Sequence, residues 1–587
     1  DKNGERLNPI DVEQYNLRVA YQTENDFNIY SNISKNIIRG WTESKKVFRL
    51  INRVRFYHSQ YPIYVDVSIV KSSSKKNRQY VPEYTIQDSN VFNNIENYEI
   101  ELEVNNNSVG TGSQYDTTNK LTSSIKKVIR IIMSGMQNTK FPITYTEQKD
   151  IINEYLSMIH GNEIPRYVNP KHFIGPSSYT LQIENVVAEN ESNVPNINNG
   201  YCVTDKADGE RRFIYISKVG KIYMINTNMQ IIFTGTVTTQ DEYFETLIDG
   251  EYIKYDKNNK YINLYACFDI YYLKGKDIRN IPFVLTDDGN TNFRLYHLQN
   301  IISTLKYKPV VSTLDTKLRI NVKTFYISTP TRNIFTCCSQ IFSNIDDDVY
   351  EYTTDGIIFT PNKISVGVNE EGDKISNFKV SWTHSFKWKP PEYNTIDFLV
   401  SVKKDDGNQP IINHIYQDGS NLHTTSQMNK YKTLTLRCGY DQTKHGYINP
   451  CEDIYQDTIN NTIKNKDDES NYKPVPFVPT DPYDTDAHVC NVLLTNDVMM
   501  TEEGEPFDEN MIVEFQYVID NKKGWNWVPL RVRYDKTNEL QNGIRNYGNA
   551  YHVANNNWRS IHYPIDTQML RTGTNFPTYY EHSDVYY

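Results

Sequence analysis

Cysteine is scarce: seven residues in 587 (202, 267, 337, 338, 438, 451 and 490), with none in a CxxC spacing. That excludes a disulfide framework and the common zinc-ribbon patterns, and an odd count fits a reducing compartment. No apolar run is long enough to cross a bilayer, and no secretory leader opens the chain. Positive charge is not in excess either. Lys and Arg number 62 against 72 Asp and Glu, a formal net charge of −10, with a pI near 5.7. A surface that coats nucleic acid broadly is therefore not expected, and any such partner must be gripped locally. There is no internal repeat. The first residue is Asp rather than Met, which suggests a fragment, and the 46 tyrosines, with many Asn and Ile, point to coding bias in an AT-rich genome. The length suffices for three domains with cores of their own.

Against this background one block stands out, Thr204-Asp205-Lys206-Ala207-Asp208-Gly209-Glu210-Arg211. A lysine attacks phosphorus only when its amine is freed by burial or by neighbouring positive charge and metal. Arg211 and a bound magnesium ion could supply the latter two. By itself the block reads equally as a strand, an Asp-Gly turn and a strand with solvated charges. Further blocks follow in order: Ile248-Asp249-Gly250-Glu251, Tyr265-Ala266-Cys267-Phe268-Asp269, Thr354-Asp355-Gly356-Ile357-Ile358-Phe359, Phe386-Lys387-Trp388-Lys389-Pro390, and Trp527 through Arg531, Arg533 and Asp535 to Lys536.

This ordered set resembles the covalent nucleotidyltransferases, which include mRNA capping enzymes and ATP-dependent ligases. Attack of an amine on an α-phosphate requires neutralised phosphate charge, a placed divalent ion, a stacked base and an in-line leaving group. The resemblance makes Lys206 the nucleophile, with Arg211 beside it. Glu251 and Asp355 suit a ribose hydroxyl or the metal, Mg²⁺ or Mn²⁺. Phe268 is the candidate purine stacker, although core packing is the commoner fate of a phenylalanine. Lys387 and Lys389, two apart on a strand, share a face and can reach the α-phosphate. Arg533, Asp535 and Lys536 form a charged patch expected to be mobile and to close over the β- and γ-phosphates.

Two features narrow the likeness. The last block reads Trp-x-x-x-Arg-x-Arg-x-Asp-Lys, as capping guanylyltransferases have it. Near the other end, Glu99, Glu101 and Glu103 alternate with apolar residues, so on a strand all three point to one side. Like charges so placed read as a solvated edge strand or, with a cation among them, as a metal site. Upstream, Lys46–Phe56 and Val65–Lys71 carry bases at near-alternating positions. Together these stretches are similar to the triphosphate-tunnel RNA 5′-triphosphatase fused to guanylyltransferase in capping enzymes of large cytoplasmic DNA viruses. Residues 1–45 hold no further Glu-x-Glu pair and no Gly-rich cofactor loop precedes the C-terminus. The chain is therefore expected to begin inside the triphosphatase or to have lost that activity, and to lack a guanine-N7 methyltransferase domain.

The expected fold is a strand-rich α+β chain. Residues 1–165 form an antiparallel triphosphate-tunnel barrel, incomplete if the chain starts within it, with helices at Lys120–Met136 and Thr146–His160 packed on its outside. Residues 166–395 form the nucleotidyltransferase domain, with one helix near Tyr296–Leu305. Residues 396–572 form an OB-fold domain with a loop insert at about 441–485, and 573–587 a linker. The resemblance implies GTP as substrate, the 5′ end of nascent RNA as acceptor, a cap methyltransferase domain or subunit and the transcription machinery as partners, no membrane, and the host cytoplasm or virion as location. Two rivals remain. A polynucleotide ligase would label with ATP in place of GTP, and an inactive RNA-end-binding scaffold for a methyltransferase would label with neither.

Overall fold

The computed structural model describes residues 8–576 apart from 22–25, 77–78, 188–193, 287–288, 312–316, 371, 417–427 and 442–471. In the N-terminal region, Ile63–Ser72 is the central strand of a three-stranded antiparallel sheet between Arg49–Tyr57 and Asn97–Val104. Strand alternation sorts its side chains sharply. On one face Arg49 pairs with Glu99 at 2.6 Å, Arg53 with Glu101 at 2.7 Å and Arg55 with Glu103 at 2.6 Å. Buried Asp66 lies between Arg53 and Arg55 at 3.2 and 2.7 Å. On the other face Leu50, Val54, Phe56, Val67, Ile69 and Ile100 are exposed. Among the described residues this sheet is open, and the bases expected opposite Glu99, Glu101 and Glu103 are Arg49, Arg53 and Arg55, whose guanidinium groups offset the carboxylate repulsion.

The two helices run from Thr118 to Met136 and from Tyr145 to His160. Thr117 and Thr144 cap them by accepting the backbone N–H groups of Lys120 and Glu147. The second does not lie on the outside of the N-terminal sheet. Its apolar stripe, Ile151, Tyr155, Leu156 and Ile159, is buried against Phe213, Tyr215, Tyr223 and Leu247 of the following unit. That packing moves the boundary expected at residue 165 to before Tyr145.

The central unit is built on two sheets. The larger, eight-stranded one includes Glu210–Ile216, Lys221–Asn226, Ile231–Thr238, Thr246–Tyr255 and Tyr261–Leu273. Its second face is covered by the helix Arg294–Thr304 through Leu298 and Ile301. The smaller, five-stranded sheet contains Tyr201–Ala207, Thr354–Pro361 and Ser381–Trp388, and packs on the helix Ile334–Asp346. Tyr201–Ala207 and Glu210–Ile216 are consecutive yet belong to different sheets, so the Asp208-Gly209 turn carries the chain from one to the other. A Cβ at Gly209 would stand 2.9 Å from the Tyr252 carbonyl oxygen, which accounts for glycine there.

The C-terminal module is a nine-stranded, largely antiparallel sheet around Phe398, Phe477, Phe515, Trp527 and Trp558. Backbone hydrogen bonds from Glu502 to Pro529 (2.9 Å) and from Glu503 to Leu530 (3.1 Å) bring its ends together, nearly closing it as a barrel. Of the expected insert, Lys473–Pro476 is a strand paired with Met428–Tyr440, and 442–471 lie outside the described residues. After Val532 the chain is helical, at Tyr534–Gln541, Tyr551–His562 and Thr567–Thr572. The last of these leaves the module altogether. Leu570 and Ile565 are buried in the core beneath the five-stranded sheet, and the Trp388 indole donates to the Ile565 carbonyl at 2.7 Å. The boundary expected at 572 therefore falls near residue 563, and most of the linker expected at 573–587 lies outside the described residues. Leu570→Ala should lower the stability of the central unit by about 2–5 kcal/mol. An unchanged urea midpoint would place the helix outside that core.

Candidate active site

The turn between sheets sets Lys206 and Arg211 on opposite walls of a cleft. Opposite Lys206, the pairing of Tyr201–Ala207 with Thr354–Pro361 skips: Thr354 faces Ala207 and Ile357 faces Asp205. Asp355 and Gly356 thus form a bulge, which re-aims the Asp355 side chain toward the cleft. Gly356 has φ of 145°, and a Cβ there would lie 1.9 Å from the Trp388 carbonyl oxygen. Lys206 Nζ donates to Asp355 Oδ1 at 2.6 Å, and Lys389 Nζ sits 2.7 Å from Asp355 Oδ2. Burial would raise the Asp355 carboxyl, but Lys206 and then Lys389 outweigh it and hold it below the usual carboxylate range.

Lys387 lies on the neighbouring strand, Ser381–Trp388. Burial pushes its ammonium down to about 8, and the charges of Lys206, Lys389 and Lys536 act in the same direction against the attraction of Asp355. Across the cleft, Arg211 and Glu251 are register partners on the larger sheet. Burial pushes Glu251 up to about 7, despite Lys323, Lys206 and Arg211 nearby. The enclosed space, about 280 Å³, is lined by Lys206, Arg211, Glu251, Phe268, Lys323 and Lys387 among others. That is close to the lower end of small-molecule sites, about 300 Å³.

Arg211 does not serve as expected. Its guanidinium forks onto Asp249, at 3.1 and 2.6 Å, and donates to the Pro176 carbonyl at 2.7 Å. Asp249 also accepts the Tyr271 hydroxyl at 2.7 Å. The charge is thus neutralised at the cleft wall, and the group beside the Lys206 amine is the Asp355 carboxylate. Arg211 instead lies 5.5 Å from the ring centre of Phe268. That ring is half-buried and lines the cavity, whereas Cys267 and Asp269 on either side are buried. The structure thus brings Lys206, Arg211, Glu251, Phe268, Asp355, Lys387 and Lys389 together.

It does not bring Arg533, Asp535 and Lys536 into the cavity. They follow Trp527–Val532 on the C-terminal module, where Arg533 Nη1 and Lys536 Nζ both meet Asp397 Oδ2, at 2.5 and 2.6 Å, and Arg533 also meets Asp535 at 3.2 Å. The patch is held in place rather than loose. It faces the cleft closely enough for Lys536 to act on Lys387 and Lys379. Glu99, Glu101 and Glu103 lie on the N-terminal sheet, apart from this cleft.

Several groups escaped sequence reasoning. Asp205 holds Lys323 at 3.0 Å and accepts the Tyr352 hydroxyl at 3.1 Å, a buried support directly behind Lys206. Lys323 and Lys379 stand in no motif, so nothing local marks them. Asp249 and Asp269 lie inside blocks already noticed, and their partners, Arg211 and Arg294, are set by the fold. Among the described residues no three His, Cys, Asp or Glu side chains form a ready metal site. The donors nonetheless suit a magnesium ion arriving with a triphosphate, which needs only one or two carboxylates.

Residues 169–390 match the family model of the mRNA capping enzyme catalytic domain. Over 520 residues, 81% of this chain and 38% of the relative, the sequence is 27% identical to a probable mRNA-capping enzyme of Acanthamoeba polyphaga mimivirus. Over 377 residues, 64% of this chain and 35% of the relative, it is 24% identical to an mRNA-capping enzyme of African swine fever virus. The chain thus spans well under half the length of the curated relatives it matches.

The position of Lys387 gives a test of the cleft's charge. An anion bound beside an ammonium that titrates near 8 raises that group again, so binding should take up protons between pH 8 and 9. Glu251, already mostly ionised there, can only add in the same direction. Calorimetry with inorganic tripolyphosphate in buffers of different ionisation enthalpy should show a proton uptake at pH 8 about half a proton greater than in Lys387→Met, the polyphosphate's own titration cancelling in the difference. Equal uptake by the two proteins would remove Lys387 from the anion site.

Proposed function

We propose, starting from residues 169–390 as a capping-enzyme catalytic domain homologous to those of viral capping enzymes, that this chain transfers GMP from GTP to the 5′ end of RNA through a lysine-linked intermediate. The observation that carries the reading is the Lys206 amine, set in one cleft with Lys387, Lys389, Glu251 and Phe268.

In the first step the Lys206 ammonium leaves Asp355 and passes a proton to solvent. Its nitrogen bonds to the α-phosphorus of GTP as the bond from that phosphorus to the bridging oxygen breaks, pyrophosphate leaves with the electron pair, and the nitrogen sheds a second proton to solvent to give the phosphoramidate. Lys387 and Lys389 face the charge that builds on the α-phosphate. Phe268, backed by the Arg211 guanidinium, stacks the base, and Glu251, near its titration point, is suited to a ribose hydroxyl. In the second step a terminal oxygen of a diphosphate-ended RNA attacks the same phosphorus and Lys206 departs as the amine, regaining a proton. A magnesium ion held by Asp355 or Glu251 would add neutralisation of the phosphates. Arg533 and Lys536 exchange Asp397 for the β- and γ-phosphates when the C-terminal module, read as an OB fold, closes, and return when it opens.

The N-terminal sheet fits a second step of the same pathway, removal of the γ-phosphate from triphosphate-ended RNA. A wall alternating Arg and Glu can open its ion pairs, giving guanidinium groups to phosphates and Glu99, Glu101 and Glu103 to a divalent ion. A cap methyltransferase, as a further domain or a separate subunit, and the transcription machinery are the partners this reading implies, in the host cytoplasm or the virion.

Incubation with each α-labelled NTP and Mg²⁺ or Mn²⁺ should label the protein with GTP alone, and Lys206→Ala should abolish the band. Labelling by ATP would make the chain a ligase, and no labelling at all a scaffold. For the N-terminal sheet, release of phosphate from γ-labelled triphosphate RNA should fall at least tenfold in Glu101→Gln while GMP labelling stays intact. Wild-type protein that releases none would sink the triphosphatase assignment for this chain.

A further inference from the structure

A second cavity, of about 540 Å³, opens where residues 134–141 meet the turn end of the hairpin formed by Thr246–Tyr255 and Tyr261–Leu273. The proposed reaction does not use it. Lys140, Lys254 and Lys317 line it, with Tyr252, Tyr255 and Tyr261 between them. Among the described residues none of these lysines has a carboxylate partner. Their recorded neighbours are aromatic instead, Lys140 at 6.0 Å from the Tyr261 ring centre and Lys254 at 5.9 Å from that of Tyr252. In a chain of net charge −10, three such lysines around one cavity form a local positive site.

The aromatic side is held in place. Tyr252 donates its hydroxyl to Asn263 at 3.0 Å, and the rings of Tyr255 and Tyr261 meet edge-on at 5.8 Å. Behind Tyr252 stands Arg212, only 7% exposed, its guanidinium 5.7 Å from the tyrosine ring. Its Nη2 pairs with Glu210 at 2.6 Å, while Nε and Nη1 are buried without a hydrogen-bond partner, so the guanidinium fixes the ring more than it charges the site. Rings that offer flat faces, alternating with ammonium groups, make a platform for stacked bases and for the phosphates between them. Position relates this site to the first. Tyr252 directly follows Glu251 on its strand, so the two side chains leave opposite faces of the sheet, and a strand of RNA would pass round the end of this hairpin, where Lys254 lies about 10 Å along from Glu251, to reach the cleft.

We propose that this cavity binds single-stranded RNA behind the 5′ end that reaches Lys206, without regard to base sequence. The direction of the strand rests on the guanylyltransferase reading, whereas binding itself does not. Fluorescence anisotropy with a short 3′-fluorescein single-stranded RNA tests it on the full chain, for the variant combining Lys140→Glu, Lys254→Glu and Lys317→Glu. Affinity should fall at least tenfold, with the slope of log affinity against log salt shallower by about 2, as for three lost phosphate contacts. Tyr255→Ala alters a ring that is 54% exposed, sparing the core, and should weaken binding about fivefold or more. GMP labelling should survive in both variants. Unchanged RNA affinity, labelling lost in parallel, or AMP displacing the RNA at similar concentration would overturn the proposal. Failure of the unaltered protein to label would overturn the guanylyltransferase reading and leave the anisotropy result to decide this one.

Discussion

One carboxylate shared by two ammonium groups organises the cleft. Asp355 meets Lys206 through one oxygen and Lys389 through the other, while Lys387 stands close enough to have its own charge suppressed. Three lysines around a single aspartate leave surplus positive charge in a partly dry space, where such charge is costly. An incoming phosphate relieves that cost, so the cleft favours an anion. The geometry depends on a bulge that only glycine at 356 permits and on a turn that transfers the chain between sheets.

The opposite wall obeys a different rule. Arg211 and Asp249 satisfy each other and Tyr271 locks the aspartate, so this side is rigid and electrically quiet. Asp205, Lys323 and Tyr352 form a similar closed group behind the nucleophile. Breaking either pair would leave an uncompensated buried charge, a loss of about 3–5 kcal/mol. Such pairs are weak evidence of net stability, but they fix where the reactive groups stand. The cleft thus sets a firm wall that shapes the base site against a charged wall whose pairings can change.

Much of this arrangement was legible in the sequence because short blocks keep strand-end residues in fixed relation to a turn. Lys206 and Arg211 straddle Asp-Gly, and Lys387 and Lys389 straddle one residue, so their common cleft follows from local geometry. What could not be read is who pairs with whom across sheets. Arg211 looked like a source of free positive charge until Asp249 was seen opposite it, and the basic stretch from residue 46 could be set against Glu99, Glu101 and Glu103 as a strand but not paired residue by residue, Arg49 with Glu99, Arg53 with Glu101 and Arg55 with Glu103. The domain edges failed for a related reason. An amphipathic helix declares that it has an apolar face but not which sheet that face covers, and both Tyr145–His160 and Thr567–Thr572 chose the central unit.

That last helix constrains how the two modules can part. The chain passes from the central unit into the C-terminal module at residues 389–394 and comes back at 563–566. Between these crossings the helix Tyr551–His562 is tied to the central unit by Asn557 to Thr180 at 3.0 Å, Ser560 to Gln182 at 2.9 Å and Arg559 to Glu184 at 2.9 Å. A body tethered at two points cannot drift away. These ties hold the module against the central unit and fix the place from which Arg533 and Lys536 face the cleft.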